Sequence, residues 1–234
     1  MNYNNLYIYK IDEINMAEIN LMGNYPQRKR NLDERSDEMT EERRAIARQY
    51  GEEYFRGGYC YRNYQYKEGV WAPVVKDLRD YYHLTADSSV LDVGCAMGYT
   101  LFDFTQVIPG IKVRGVDISQ FAIDNAKPEV KPFLSVGNAK DLSSFGDKQF
   151  DLVLSITTVH NLVREECRQA LSEIQRVGEN AFIQVDAWRN DDQKAALEKW
   201  LVTAHTYLHV DDWKELFKEA GYTGDYYWFN PIGI

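Results

Sequence analysis

Basic charge is the first thing this chain lacks. Among 234 residues, 27 lysines and arginines face 36 aspartates and glutamates, a formal net charge of −9. A nucleic-acid binder needs a basic footprint, so no nucleic-acid partner is expected, and the one local run, Arg28-Lys29-Arg30, reads as a solvated face or else as a contact for an anionic substrate group. Cysteine is scarce as well. Cys60, Cys95 and Cys167 form an odd set with no metal-ligand spacing, which predicts reduced thiols and a cytoplasmic setting rather than a disulfide framework. His205 and His209 stand four residues apart, a spacing that can bind metal on a helix, but no third ligand is near. The pair reads as a helix face, and no metal is expected. Long apolar runs are missing too. Nothing approaches the ~20 residues of a membrane helix, and Met1 to Met22 is polar and acidic, without the apolar centre of a secretory signal. Neither membrane insertion nor a signal peptide is expected. There is no internal repeat or low-complexity tract, and a homodimer is left open.

What the chain does have is strand–helix alternation from Ser89 onward, which predicts an α/β fold. Its most informative stretch is Val90-Leu91-Asp92-Val93-Gly94-Cys95-Ala96-Met97-Gly98-Tyr99-Thr100. It reads as a buried strand, a glycine turn and a helix start, the place where open α/β sheets bind nucleotide-like ligands. The glycines are not spaced G-x-G-x-x-G, and Asp92 precedes them. A carboxylate there would repel a pyrophosphate. It suits a ligand with an ammonium or sulfonium group, and S-adenosylmethionine carries both.

With Asp92, Gly94 and Gly98 in the pattern D-x-G-x-x-x-G, and Ala96 in place of a frequent middle glycine, the chain resembles the class I S-adenosylmethionine-dependent methyltransferases. The resemblance implies that Asp92, Gly94 and Gly98 surround the amino-acid part of the cofactor. A second strand, Ile111 to Val116, ends in Asp117, an acid placed to accept hydrogen bonds from both ribose hydroxyls. By the same resemblance Ile118 covers the adenine, and Ser119 is a plausible helix cap. Val130 to Val136 is predicted as a third strand. The pair after it, Asn138 and Ala139, would hold the adenine edge, although an asparagine there also suits a plain turn. The fourth strand, Phe150 to Ile156, is nearly all apolar, as befits a strand buried on both faces; Ser155 near its end is grouped with the cofactor residues.

Loops at the carboxyl ends of such strands carry the chemistry. His160, after the fourth strand, is the candidate general base, with Asn161 beside it for the acceptor. The competing reading is a histidine that only packs. Val163 to Val177 is predicted as a helix, and Asn180 to Val185 as a fifth strand leading to Asp186 and Trp188. Asp186 is a second catalytic candidate, to orient a substrate hydroxyl or pair with His160, or else a solvated loop acid. Trp188 is assigned to the substrate. Between Tyr54 and Trp71 aromatics cluster without a helical or strand period; Tyr59, Tyr61 and Tyr64 are the candidate substrate lid, or a small aromatic core under a loop.

The expected architecture is a Rossmann-like, seven-stranded, mostly parallel sheet. One antiparallel strand is assigned to Tyr222 to Phe229, after a helix from Asp211 to Ala220. Residues 1–39 form an arm and linker, 40–84 a helical and aromatic cap, and 85–234 the core. Tyr25-Pro26, Arg30-Asn31, Thr158 to Leu162 and Gly221 to Tyr226 further resemble a bacterial subgroup of type 11 methyltransferases associated with surface polysaccharides. The expected reaction is O-methylation of a small or carbohydrate- or phosphate-linked acceptor. The alternatives are N-methylation, a nicotinamide-dependent oxidoreductase, or a cofactor-binding protein without catalysis.

Overall fold

The computed structural model describes residues 16–26, 31–60 and 64–233. Tyr61, Arg28-Lys29-Arg30 and most of the Met1 to Met22 arm lie outside the described residues. The elements in chain order are α1 (Leu32–Glu38), α2 (Glu41–Ala47), α3 (Glu52–Phe55), α4 (Ala72–Tyr82), β1 (Ser89–Val93), α5 (Tyr99–Val107), β2 (Lys112–Asp117), α6 (Gln120–Asp124), β3 (Leu134–Val136), β4 (Phe150–Ile156), α7 (Arg164–Val177), β5 (Gly178–Trp188), α8 (Asp191–Trp200), β6 (Leu208–His209), α9 (Val210–Ala220) and β7 (Asp225–Phe229).

They build a seven-stranded sheet in the order β3-β2-β1-β4-β5-β6, with β7 also paired to β5. Side-chain alternation divides the core into two faces. Leu91, Val93, Val153, Ile183 and Val185 point to one side, where α7 and α9 bring Leu171, Ile174, Trp213 and Phe217. Val90, Leu152, Leu154 and Phe182 point to the other, against Val74, Val75 and Leu78 of α4 and Leu101 and Phe104 of α5. Each of these large apolar side chains contributes about 1.5–3 kcal/mol on burial. The three layers hold the carboxyl ends of the central strands together at one rim.

The α/β fold and seven strands agree with the sequence. The antiparallel strand does not. Phe182 faces Asp225 and Asp186 faces Phe229, so β7 runs parallel to β5, and every strand pairing among the described residues is parallel. The reason is α9, which packs beside α7 and carries the chain back along the face of the sheet. A strand that follows such a crossover helix is laid down parallel.

Local readings are corrected as well. The expected linker at 31–39 contains α1, capped by Asn31, whose side chain accepts from Glu34 N–H. This helix buries none of its residues, so it shows no apolar period. The third strand is shorter than expected because Lys131–Phe133 forms a 3-10 turn around Pro132. His205 and His209 share no helix: His209 ends β6 and caps α9. Among the described residues no helix is long and apolar enough to cross a membrane.

Candidate active site

The carboxyl ends of the strands open onto a cavity of about 600 Å³, a size usual for small-molecule sites. Asp92 lines it from β1 and is only 4% exposed. Among the described residues no hydrogen bond stabilises its carboxylate; burial first, and then the charge of Asp117, push it up from 3.8 to about 7. Gly94 follows with φ +87°, and a Cβ there would lie 2.0 Å from Thr158 Oγ1. Glycine is what lets the β4 loop close onto this turn. Gly98 stands at the cap of α5, off the cavity wall, where a Cβ would press on Val130 and Leu134 at 2.9 Å. Its visible task is packing.

Ala96 has φ +47°, the left-handed region that disfavours a side chain. The turn holds because Ala96 N–H donates to Asp117 Oδ2 at 2.8 Å. Ala96→Gly should therefore stabilise the protein by several tenths to about 1 kcal/mol, a rise of roughly 2–4 °C in Tm, read by thermal unfolding. A lower Tm would mean that the Ala96 methyl does more in packing than it costs in backbone strain.

Asp117 closes this end of the cavity. Its Oδ1 accepts from Ser119 N–H at 2.8 Å. Burial raises this carboxyl, and the N–H groups of Ser119 and Ala96 pull it back. Each oxygen keeps a lone pair for a ligand hydroxyl. Ser119 caps α6 by accepting from Ala122 N–H and donates to Tyr50 O at 2.5 Å, which ties the cap to the core. Ile118, 53% exposed, lines the cavity with Asn138 and Ala139. Asn138 Oδ1 accepts from Lys140 N–H at 3.1 Å, so it also forms the turn.

The opposite end is assembled from distant segments. His160 O accepts from His205 N–H at 3.0 Å and Thr206 N–H at 2.9 Å, and Thr203 Oγ1 donates to Asn161 Oδ1 at 2.8 Å. Tyr50 hydrogen-bonds Thr203, and burial raises its hydroxyl to about 12. From the cap, Arg35 Nε donates to Trp200 O at 2.8 Å, and Arg44 donates to Leu201 O. The guanidinium of Arg35 lies 4.1 Å over the Trp200 ring. His160 is buried, and Asp186 N–H donates to its Nδ1 at 3.0 Å.

Residues 90–181 match a family model described as "Methyltransferase domain". Over that stretch, from β1 into β5, the chain is similar to methyltransferase domains. A curated relative, demethylmenaquinone methyltransferase from Symbiobacterium thermophilum, is 35% identical over 117 residues, 47% of this chain and 45% of its own length. The chain thus spans less than half of that relative. Among solved structures, the YcgJ protein from Bacillus subtilis superposes with TM-score 0.52 at 18% identity, covering 62% of this chain and 66% of that one. The [4+2]-cyclase SpnF superposes with TM-score 0.53 at 17% identity, covering 74% and 72%. These two likenesses show the fold.

The cavity brings together Asp92, Gly94, Asp117, Ile118, Asn138, Ala139, His160, Asn161, Asp186 and Tyr64. Four of the expected site residues do not line it. Gly98 packs under the turn. Ser155 is fully buried on the face of β4 that carries Val153, with no partner for its hydroxyl among the described residues. Tyr59 packs against Met39, Ala47 and Val202, under Arg43. Trp188 packs with Leu197 and Leu201, its ring meeting His209 and Lys194.

The geometry around His160 bears on the base role expected of it. An Nδ1 that accepts from a backbone N–H is unprotonated, so the neutral ring carries its proton on Nε2. The lone pair that a base needs is already engaged. Burial lowers the imidazole pKa, against the opposing charge of Asp186, whose Oδ2 lies 3.8 Å from Nδ1. Sequence reasoning also missed Arg35, Tyr50, Gln184, Thr203, Tyr227 and Asn230, all on the cavity wall. Tyr227 and Asn230 follow the same carboxyl-end rule that found His160. Arg35 had no signal, since its helix has no apolar stripe.

Proposed function

We propose that the protein transfers a methyl group from S-adenosylmethionine to an oxygen of a small or carbohydrate- or phosphate-linked acceptor. The observation that carries the cofactor half is Asp92: a buried carboxylate on a cavity wall, with no hydrogen bond from the described residues, is matched by a ligand ammonium. Gly94 stands on the wall close by, where the ligand's amino-acid part would lie. Asp117 keeps acceptor lone pairs for the ribose hydroxyls, Ile118 offers an exposed apolar face to the adenine, and Asn138 and Ala139 stand at its edge. When bound, the cofactor supplies an activated methyl group, so the protein's task is alignment. Tyr64 and Asn161 are the acceptor-side residues supported by their place on the wall. The surface-polysaccharide setting rests on the resemblance of the longer pattern alone.

Titration calorimetry with S-adenosylhomocysteine and with NAD tests this reading, and binding of NAD alone rejects it. Asp117→Ala should weaken S-adenosylhomocysteine binding by roughly tenfold or more, since each lost ribose hydrogen bond costs about 1 kcal/mol or more. Unchanged affinity would remove Asp117 from the ribose role.

A further inference from the structure

Asp92 and Asp117 stand at one end of the cavity, and Asp186 lines the other beside His160, its carboxylate 3.8 Å from Nδ1. Arg35 stands with Trp200 and is the one lysine or arginine among the described residues on the wall. The hydrogen bond from Nε and the stack on the Trp200 ring fix the plane of its guanidinium. A guanidinium held in this way suits a planar or tetrahedral oxyanion, which it can bind through two parallel N–H bonds. The second donor is His160. Its Nδ1 is taken by Asp186 N–H, its backbone is pinned by two further amides, and its Nε2–H belongs to a buried ring on the cavity wall.

We propose that this end of the cavity takes an acceptor bearing an oxyanion, a carboxylate or phosphate group, held by Arg35 and by the Nε2–H of His160, and that an oxygen of this group is the atom methylated. This rests on the methyl-transfer reading above and names its substrate class. The chemistry closes without a base. An oxyanion oxygen has no proton to lose: its electron pair forms the new O–C bond, the pair of the broken C–S bond stays on sulfur, and the products are an ester and a neutral thioether. His160 then acts as a donor that orients the acceptor. Asp186 sets the ring through its backbone N–H, with its carboxylate beside Nδ1.

The test begins without turnover. NMR of protein carrying nitrogen-labelled histidine, with His160→Gln to assign the signal, should show a neutral Nε2–H ring at pH 7. An Nδ1–H ring or an imidazolium overturns the proposal. The free protein and its S-adenosylhomocysteine complex are then titrated with glucuronate, glucose phosphate, glucose and glucosamine. The His160 Nε2–H resonance should respond to one of the two charged oxyanion sugars at a concentration roughly tenfold or more below that for glucose. Which of the two binds separates carboxylate from phosphate. Arg35→Gln should remove this preference, and Arg35→Lys should restore part of it. An equal response to glucose or glucosamine, no response to either oxyanion, or an unaltered preference in Arg35→Gln overturns the proposal. S-adenosylhomocysteine affinity is measured on every variant. Its absence in the wild type removes the methyl-transfer reading, and the oxyanion result is then read on the free protein.

Discussion

Asp92→Asn should make the free protein more stable at pH 8 while weakening S-adenosylhomocysteine binding on the order of 10²-fold, the scale for losing a buried hydrogen-bonded charge pair. The two effects have one cause. The carboxylate is buried, without a hydrogen bond from the described residues, and near Asp117, and its pKa rises from 3.8 to about 7. For an acid whose folded pKa is raised, stability is fully present below the unfolded value and is lost as pH climbs to the folded value. Between about pH 4 and 7 the free protein therefore loses stability through this residue. Asparagine removes the charge and that loss. A ligand ammonium pairs with the carboxylate, so binding at pH 6 must release a proton. Affinity should then fall by about tenfold for each unit below pH 7 in the wild type, and stay flat in the variant. Thermal unfolding at pH 5 and pH 8, with calorimetry in buffers of different ionisation enthalpy, measures both effects. A variant that melts lower at pH 8, or binds as well as the wild type, would show that Asp92 is paired in a way this cavity does not provide.

Gly94→Ala should damage fold and site together. The methyl group would sit 2.0 Å from Thr158 Oγ1 and 2.3 Å from its Cγ2. Thr158 cannot simply rotate away, because its hydroxyl donates to Ile156 O at 3.1 Å. The φ of +87° adds backbone strain. Overpacking and strain together cost about 2–5 kcal/mol, roughly 5–15 °C in Tm for a chain of this size. Cofactor binding should fall with it, as the β4 loop is pushed off the turn. Adding Thr158→Gly removes the clash and leaves the strain, so the double variant should regain more than half of the lost stability. If it regains nothing, the damage lies in the backbone angle and not in the contact.

The end of the cavity proposed for the cofactor was legible in the sequence because its residues sit at fixed places on regular elements. Asp92 and Asp117 end consecutive buried strands, and Ser119 opens the helix that follows. Strand patterning placed them on one rim before any distance was known. The reversed strand was misread because the apolar run of Tyr222 to Phe229 says nothing about direction. Direction is set by the returning α9, which sequence pattern detects but does not orient. The opposite end was only half legible. His160 and Asp186 follow from the carboxyl-end rule, but which nitrogen carries the proton depends on a backbone amide 26 residues away. Arg35 lies on a short polar helix that buries nothing of its own, and Tyr59 joined the aromatic cluster by composition yet faces a different packed group.

The two ends of the cavity are also encoded differently along the chain. Asp92, Gly94, Asp117, Ile118, Asn138 and Ala139 fall in one continuous stretch within the matched domain. The other end draws on Arg35 and Tyr50 ahead of it, His160 within it, and Asp186, Trp200, Thr203 and Asn230 beyond it. Drift in the flanking segments can thus remodel what is accepted while the inherited stretch stays untouched. An exchange of residues 31–60 and 200–206 between relatives, made as one unit because Arg35 and Arg44 clasp Trp200 and Leu201, would move acceptor preference and leave nucleoside recognition behind.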